Sequence, residues 1–184
     1  MALKVLMKLM YIARMARFDL LKPVGSLARL ITRWGEDSDD ALDKLIAYVR
    51  QTLDLKLIGY VGDAMNKVRL DMYSDADFAG MASQHSTTGG HLMLAGANTR
   101  FPLTAVSKKQ QSVSTSTTEA ELTAIFRMVR NVAVPAIDLW ETLLGKMIPV
   151  NVYEDNQTVN HIIKTGKNQS MRHFERTHLS LIHI

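Results

Sequence analysis

From Val68 to Phe78 the chain alternates, with Val68, Leu70, Met72, Ala76 and Phe78 on one face and Arg69, Asp71, Tyr73, Asp75 and Asp77 on the other. A period of two predicts a strand buried on one side. Upstream the period is different. Leu42, Leu45, Ile46, Val49 and Leu53 recur at three and four positions, which predicts an amphipathic helix over Asp39 to Leu57, and a shorter one is predicted over Ser26 to Trp34. Between them "GEDSDD" reads as a loop whose acids favour the start of the second helix. Beyond the first strand, "GMASQHSTTGG" reads as a polar turn. "HLMLAGANTRFPLTAVSKK" then reads as two short strands joined by a tight turn around Gly96 to Asn98. "STSTTEAELTAIFRMVRNVAVPAIDLWETLLG" carries a long helical pattern, with Leu122, Ile125, Phe126, Val129 and Ala133 on one side and Pro135 as a kink or break. "IPVNVYED" predicts a fourth strand, and "NQTVNHIIKTG" a short helix ended by Gly166.

The resulting order is three strands, helix, strand, helix. Three consecutive strands imply an antiparallel meander, so the pattern defines an α/β domain with a mixed sheet from residue 67 onward, preceded by a helical piece over residues 1–66. Composition sets outer limits on this picture. The 184 residues are 47% hydrophobic, enough for one substantial core, or one domain and part of another. Lys4 and Lys8 interrupt the N-terminal apolar run well short of the ~18 residues a membrane span needs, which leads to the expectation of an intracellular protein, cytoplasmic or nuclear, with no membrane partner. There is no cysteine, so neither a disulfide nor a thiolate metal site exists. His173, His178 and His183 are spaced five apart, off any single helical face, which argues against a zinc site. No glycine-rich segment matches a phosphate loop or a dinucleotide fingerprint. The formal net charge of +4 suits a polyanionic partner.

Three acids stand at informative places: Asp75 in the first strand, Glu119 at the start of the long helix and Asp155 where the fourth strand ends. Sites in α/β sheets form beyond strand ends where the topology switches. A carboxylate cluster there suits a hard cation such as Mg²⁺, which also offsets the repulsion between like charges. Each acid has a plainer reading. Asp75 and Asp77 fit a solvated strand face. Glu119 fits a capping box with Ser116, and Asp155 fits a helix N-cap. Helical geometry alone does not separate Glu119 from Glu121, since both lie at margins of the apolar stripe.

In order and spacing, "YSDADFAG", "STTGG", "SKKQQSVSTSTTEAEL" and "YEDNQ" resemble the ribonuclease H domain of copia-type retrotransposon polyproteins. Upstream, "KLMYIARMARFDLLKPVGSLAR" and "ALDKLIAYVRQTLDLKL" are similar to the segment joining reverse transcriptase to that domain. The resemblance implies a ribonuclease H-like fold that hydrolyses the RNA strand of RNA·DNA hybrids with two Mg²⁺ ions, Mn²⁺ being an alternative. Its pattern makes Asp75, Glu119 and Asp155 the catalytic metal ligands. It also implies contacts to the hybrid from Lys108, Lys109, Ser112, Ser114 and Asn156, and the rest of the polyprotein as a partner. Oligomeric state is left open. Phe78 and Ala105 stand where the family usually has Trp, and Leu122 where it has Tyr. The family's fourth acid follows a fifth strand, whereas here no Asp follows Asp155 and Glu175 is the only later acid. The resemblance therefore implies a domain truncated before its last strand and helix. A catalytically inactive remnant that keeps the fold and weak nucleic-acid binding is the second expectation.

Overall fold

The structure is a computed structural model that describes residues 2–80 and 84–166. The expectations placed on Glu175 and on His173, His178 and His183 lie outside the described residues. The chain divides into two compact units, Met1–Ile58 and Gly59–Ile184.

The first unit is helical. Helix α1 spans Ala2–Met15, α2 spans Leu21–Ala28 and α3 spans Glu36–Gln51, with short 3₁₀ turns at Phe18–Leu20 and Ile31–Arg33. Two boundaries differ from the sequence reading. The Ser26 to Trp34 segment is not one helix: α2 ends at Ala28 and the chain tightens into the second 3₁₀ turn. The acids of "GEDSDD" lie inside α3, where Glu36, Asp37 and Asp39 occupy the first turn and meet the positive end of the helix dipole. That helix buries Leu42 and Leu45 but stops at Gln51, leaving Leu53 72% exposed. Its end is held by Arg17, a buried cation. The guanidinium donates to both Asp19 carboxylate oxygens (Nε to Oδ1 3.0 Å, Nη2 to Oδ2 2.8 Å) and to the backbone and side chain of Thr52 (2.9 and 2.8 Å). Asp19 also accepts from the Tyr48 hydroxyl at 3.0 Å. Every charged group in this knot has a partner, which is the condition for burying it without a large desolvation cost.

The second unit is built on a five-stranded mixed sheet. Its strands are β1 (Tyr60–Val61), β2 (Arg69–Asp77), β3 (Thr87–Ala95), β4 (Thr99–Lys109) and β5 (Val150–Tyr153), in the order β1-β4-β3-β2-β5. The meander β2-β3-β4 is antiparallel, whereas β5 pairs with β2 in parallel. The long crossover that a parallel pair requires is the helical stretch between β4 and β5. It comprises α4 (Thr117–Met128), a π-helical turn (Val129–Ala133) and α5 (Val134–Leu144). A last helix, α6 (Gln157–Thr165), ends at Gly166 in the left-handed conformation with φ 66°, which glycine adopts without a Cβ penalty. This mixed α/β arrangement agrees with the ribonuclease H-like fold expected from the sequence.

Pro135 neither breaks nor sharply ends the long helix. The π turn directly before it takes up the missing N–H and the ring, and α5 continues with Pro135 in its first turn. Strand β3 starts at Thr87, so "STTGG" is largely strand rather than turn. Its two glycines hide the strand signal, and Gly90 has a packing reason: a Cβ there would run into the Met128 side chain on α4. Lys108 and Lys109 belong to β4, as the strand reading of "FPLTAVSKK" implies. Within β4, Pro102 sits at a register shift where Leu92 pairs with Thr104 and Met93 with Pro102, the usual place for a residue without an N–H.

The helices cover one face of the sheet. Val68, Leu70 and Met72 from the first strand region meet Leu92, Leu94, Met128, Ala133 and Ile148 in the main core. Leu122 and Ile125 of α4 pack with Val159 and Ile162 of α6 in a second cluster. The alternation read from the sequence is thus the burial pattern observed over Val68 to Asp75, with one exception, and beyond that stretch Phe78, read on the buried face, is 38% exposed. Asp71 is on the polar face yet 4% exposed, because Arg69 chelates it at 2.8 and 3.2 Å and the Asn151 amide donates at 3.3 Å.

Gln110, fully buried where β4 ends, joins three parts of this unit. Its amide donates to the Ala120 carbonyl (2.9 Å) and the Thr88 hydroxyl (3.3 Å), and its own oxygen accepts from Ser114 (3.2 Å). Gln110→Ala removes these partners and leaves a buried carbonyl unsatisfied, so urea denaturation should show a loss of about 2–4 kcal/mol. The exposed neighbour gives the contrast: Gln111→Ala should stay within about 0.5 kcal/mol of the parent.

Candidate metal centre

The parallel register between β2 and β5 brings two carboxylates together. Tyr73 pairs with Tyr153, and each is followed two residues later by an aspartate, Asp75 and Asp155. Adjacent strands lie about 4.8 Å apart, so continuing the register sets the two aspartates side by side on one face. One repeat before them, the rings of Tyr73 and Tyr153 stack with centroids 4.7 Å apart at 12°.

The third member comes from α4. Asp75, Glu121 and Asp155 each present a carboxylate oxygen within 4.8 Å of the others. Asp75 and Asp155 are exposed, whereas Glu121 is only 8% exposed. What holds Glu121 there is the residue before it. The Ala120 carbonyl is tied by Gln110 to Thr88, and Thr88 is the cross-strand partner of Ala76. The start of α4 is thereby fastened against the end of β2, with Glu121 facing the Ala76 backbone.

Glu119, the acid that the family pattern selects, is not in this group. Ser116 caps α4 by accepting from the Glu119 N–H at 3.2 Å, and the Glu119 carboxylate turns back to accept from the Thr115 N–H (2.7 Å) and hydroxyl (2.6 Å). The capping reading of Glu119 describes its position. Two residues along a helix is about 200° of rotation, so Glu119 and Glu121 point to different sides. Asp155 is not the N-cap of α6. That role falls to Asn156, whose side chain accepts from the N–H groups of Thr158 (3.0 Å) and Val159 (3.2 Å).

Of the residues expected to touch nucleic acid, Lys108 and Ser112 are exposed and Lys109 is half-buried. Ser114 is 5% exposed and spends its hydroxyl on Gln110, which leaves little of it for a ligand. Sequence reasoning left Glu119 and Glu121 unseparated by helical geometry, took Glu119 from the family pattern, and passed over Gln110 and Glu154. The repeated Tyr-x-Asp word at residues 73–75 and 153–155 is the signal in the sequence that could have pointed to the paired strands.

Electrostatics mark the cluster as one that resists full ionisation. Burial pushes the Glu121 carboxyl up to about 8, helped by repulsion from Glu154, Asp75 and Asp155, while the Ala76 N–H acts the other way. Burial likewise raises Glu154 to about 7, opposed by the Asn156 N–H and reinforced by Asp155 and Asp75. Glu121 Oε2 and Glu154 Oε2 are buried with no hydrogen-bond partner. The donors are all carboxylate oxygens, the set that a hard divalent cation accepts, and such a charge would relieve both the repulsion and the orphaned oxygens.

A mixed α/β domain with a carboxylate cluster at the end of its parallel strand pair is therefore the class that fold and site define. In sequence, the chain is 32% identical over 117 residues, 64% of its length, to the retrovirus-related Pol polyprotein from transposon RE2 of Arabidopsis thaliana. It is 31% identical over 117 residues to the corresponding polyprotein from transposon RE1 of the same plant. The chain spans about 8% of the length of each of these relatives. No protein-family model matches the chain. No solved structure matches it. Among the described residues, no helix is long and apolar enough to cross a membrane.

The raised carboxyls make stability depend on pH with a definite sign. A carboxyl that binds its proton more tightly in the folded state favours the fold at low pH, and that contribution fades as pH climbs through the folded value. In a chelator, thermal unfolding should therefore move down by roughly 5–10 °C between pH 5 and pH 8. Glu121→Gln should flatten much of this slope.

Proposed function

We propose that this chain is a region of a retroelement polyprotein, and that its sheet-based unit is a copia-type ribonuclease H-like domain that hydrolyses the RNA strand of RNA·DNA hybrids. The helical residues before the sheet then correspond to the connection from reverse transcriptase. The observation that carries the reading is the convergence of Asp75, Glu121 and Asp155 from β2, α4 and the end of β5 within 4.8 Å. Similarity to the transposon polyproteins supports the retroelement context.

In this reading Asp75, Glu121 and Asp155 hold two Mg²⁺ ions, with Mn²⁺ as a substitute. When bound, such ions supply an activated water and stabilise charge developing on the phosphate oxygens. The protein's share is positional. Glu121 is fixed by the Gln110 tie and the two aspartates by strand register, so the oxygens are arranged before any ligand arrives. Exposed Lys108 supplies backbone-directed positive charge, and the net charge of +4 favours a polyanion.

The test is cleavage of a labelled RNA·DNA hybrid by the full chain in Mg²⁺. Asp75→Asn and Glu121→Gln should each lower cleavage at least about 100-fold. Glu119→Gln should stay within about fivefold of the parent while costing about 0.5–1 kcal/mol of stability through the weakened cap. No Mg²⁺-dependent product, or equal product from Asp75→Asn, would overturn the enzymatic reading and favour a remnant that only binds. Loss with Glu119→Gln but not Glu121→Gln would return the second ligand to the position chosen by the family pattern.

A further inference from the structure

Among the described residues, the arginines that are not classed as exposed are Arg17, Arg69 and Arg127. Arg17 is chelated by Asp19 and Arg69 by Asp71, and those hydrogen bonds raise the pKa of each guanidinium. Arg127 differs from both. Among the described residues it has no carboxylate partner, and its side chain donates from Nη1 to the Lys109 carbonyl at 3.2 Å. Burial pushes its pKa down, and no anion acts the other way. A half-buried cation that meets only a carbonyl has given up water without gaining a counter-charge, which works against the fold until an anion arrives.

The bond to Lys109 places this guanidinium on one flank of the sheet. Strand β1 pairs only with Thr99 and Arg100 of β4, so the rest of β4 is an open edge among the described residues. Helix α4 packs over β2 and β3 and leaves that edge beside it. Val106, Lys108 and Gln110 alternate on the helix side of β4. Val106 packs against the main core and Gln110 is fully buried, whereas Lys108 is exposed. Lys108 and Arg127 therefore rise on the same flank, one from the strand and one from the helix. The acid in Arg127's own row of α4 is Glu119, two turns back and about 12 Å along the axis, with its carboxylate held by Thr115. The flank is also near the acid cluster. Lys109 pairs with Thr87, and Thr87 with Asp77 just past Asp75, so two strand spacings, about 10 Å, separate the flank from the end of β2.

We propose that Arg127, together with Lys108, binds a backbone phosphate of the nucleic acid that reaches the acid cluster. This assignment rests on the ribonuclease H reading of the chain and adds to it a phosphate site on the α4/β4 flank. One strand of a duplex carries a phosphate for about each 3.4 Å of axis, so a separation of about 10 Å spans roughly three phosphates and lets one substrate meet both places. Arginine suits the task because its planar fork engages two phosphate oxygens at once, and the Lys109 carbonyl orients that fork in advance. The phosphate supplies the counter-charge that Arg127 lacks. A contact to backbone rather than to base edges positions the substrate without reading its sequence.

The experiment measures binding of a labelled RNA·DNA hybrid to the full chain by fluorescence anisotropy, in a chelator so that no strand is cut, over roughly 50–200 mM salt. Arg127→Gln keeps an amide donor for the Lys109 carbonyl. It should weaken binding about 3–10-fold, by a similar factor for hybrids of different sequence, and reduce the slope of log affinity against log salt by about 1. Lys108→Gln should act in the same direction, and the exposed control Lys146→Gln should bind as the parent does. Thermal unfolding separates binding from support. Arg127→Gln should unfold at or above the parent's temperature, whereas an arginine that only ties α4 to β4 would lower that temperature and leave the salt slope unchanged, which overturns the inference. If Arg127→Gln does not fold, Lys108→Gln decides, and an unchanged slope there is equally fatal. Where the parent binds and both variants match it, the flank is rejected while the ribonuclease H reading stands. Where the parent has no affinity for the hybrid, that reading falls and this inference with it.

Discussion

The parallel pairing of β2 with β5 is the constraint on which the rest of the second unit depends. Two strands that run the same way cannot be joined by a tight turn, so the chain must leave the sheet and return, and the long helical crossover is the consequence. The same pairing sets Tyr73 beside Tyr153 and, two residues on, Asp75 beside Asp155. A one-residue slip of β5 would turn its side chains to the opposite face and part Asp155 from Asp75, which β3 holds in place. Core packing and site geometry are thus enforced by one register. Leu70 and Met72 pay no desolvation cost inside the core, and the aspartates keep their hydration outside it.

The crossover then has to deliver a third acid to the same end of the sheet. Helix α4 does this through a neutral side chain. Gln110 links the Ala120 carbonyl to Thr88, and its bonds are worth more in a dry interior than they would be in water. The arrangement sets an uncharged buried anchor beside a charged, partly desolvated site. Such an anchor holds its geometry whether or not a cation neutralises the acids next to it. The carboxylates are the opposite case, since their mutual repulsion and burial work against the fold.

In the first unit the same rule of paired burial appears in a different setting. Arg17 is buried with Asp19, Tyr48 and Thr52 around it, so that every donor used meets an acceptor and the end of α3 is tied to the turn after α1. The contrast with the orphaned oxygens of Ser74, Glu121 and Glu154 is informative. This chain is able to satisfy a buried charge completely, which makes the unanswered group near the strand ends a local property of that site.

Periodicity and punctuation in the amino-acid sequence determined most of the element order: the alternation over residues 68–78, the helical stripe of α3 and α4, the cap at Ser116 and the stop at Gly166. These are local properties, set by side-chain direction and backbone preference. Gly89 and Gly90 hid the start of β3 because the reason for Gly90 lies in Met128, 38 residues away. Asp75 and Asp155 were legible as candidate members of one cluster because each sits near a strand end, but the choice between Glu119 and Glu121 was not. Both fit the helix equally well in one dimension. Only the packing of α4 against β2 and β3, fixed by Gln110, turns Glu121 toward the aspartates and leaves Glu119 to cap its own helix. Glu154 was passed over for the same reason, since the charges coupled to it, Asp75 and Glu121, come from β2 and α4, 79 and 33 positions away in the chain.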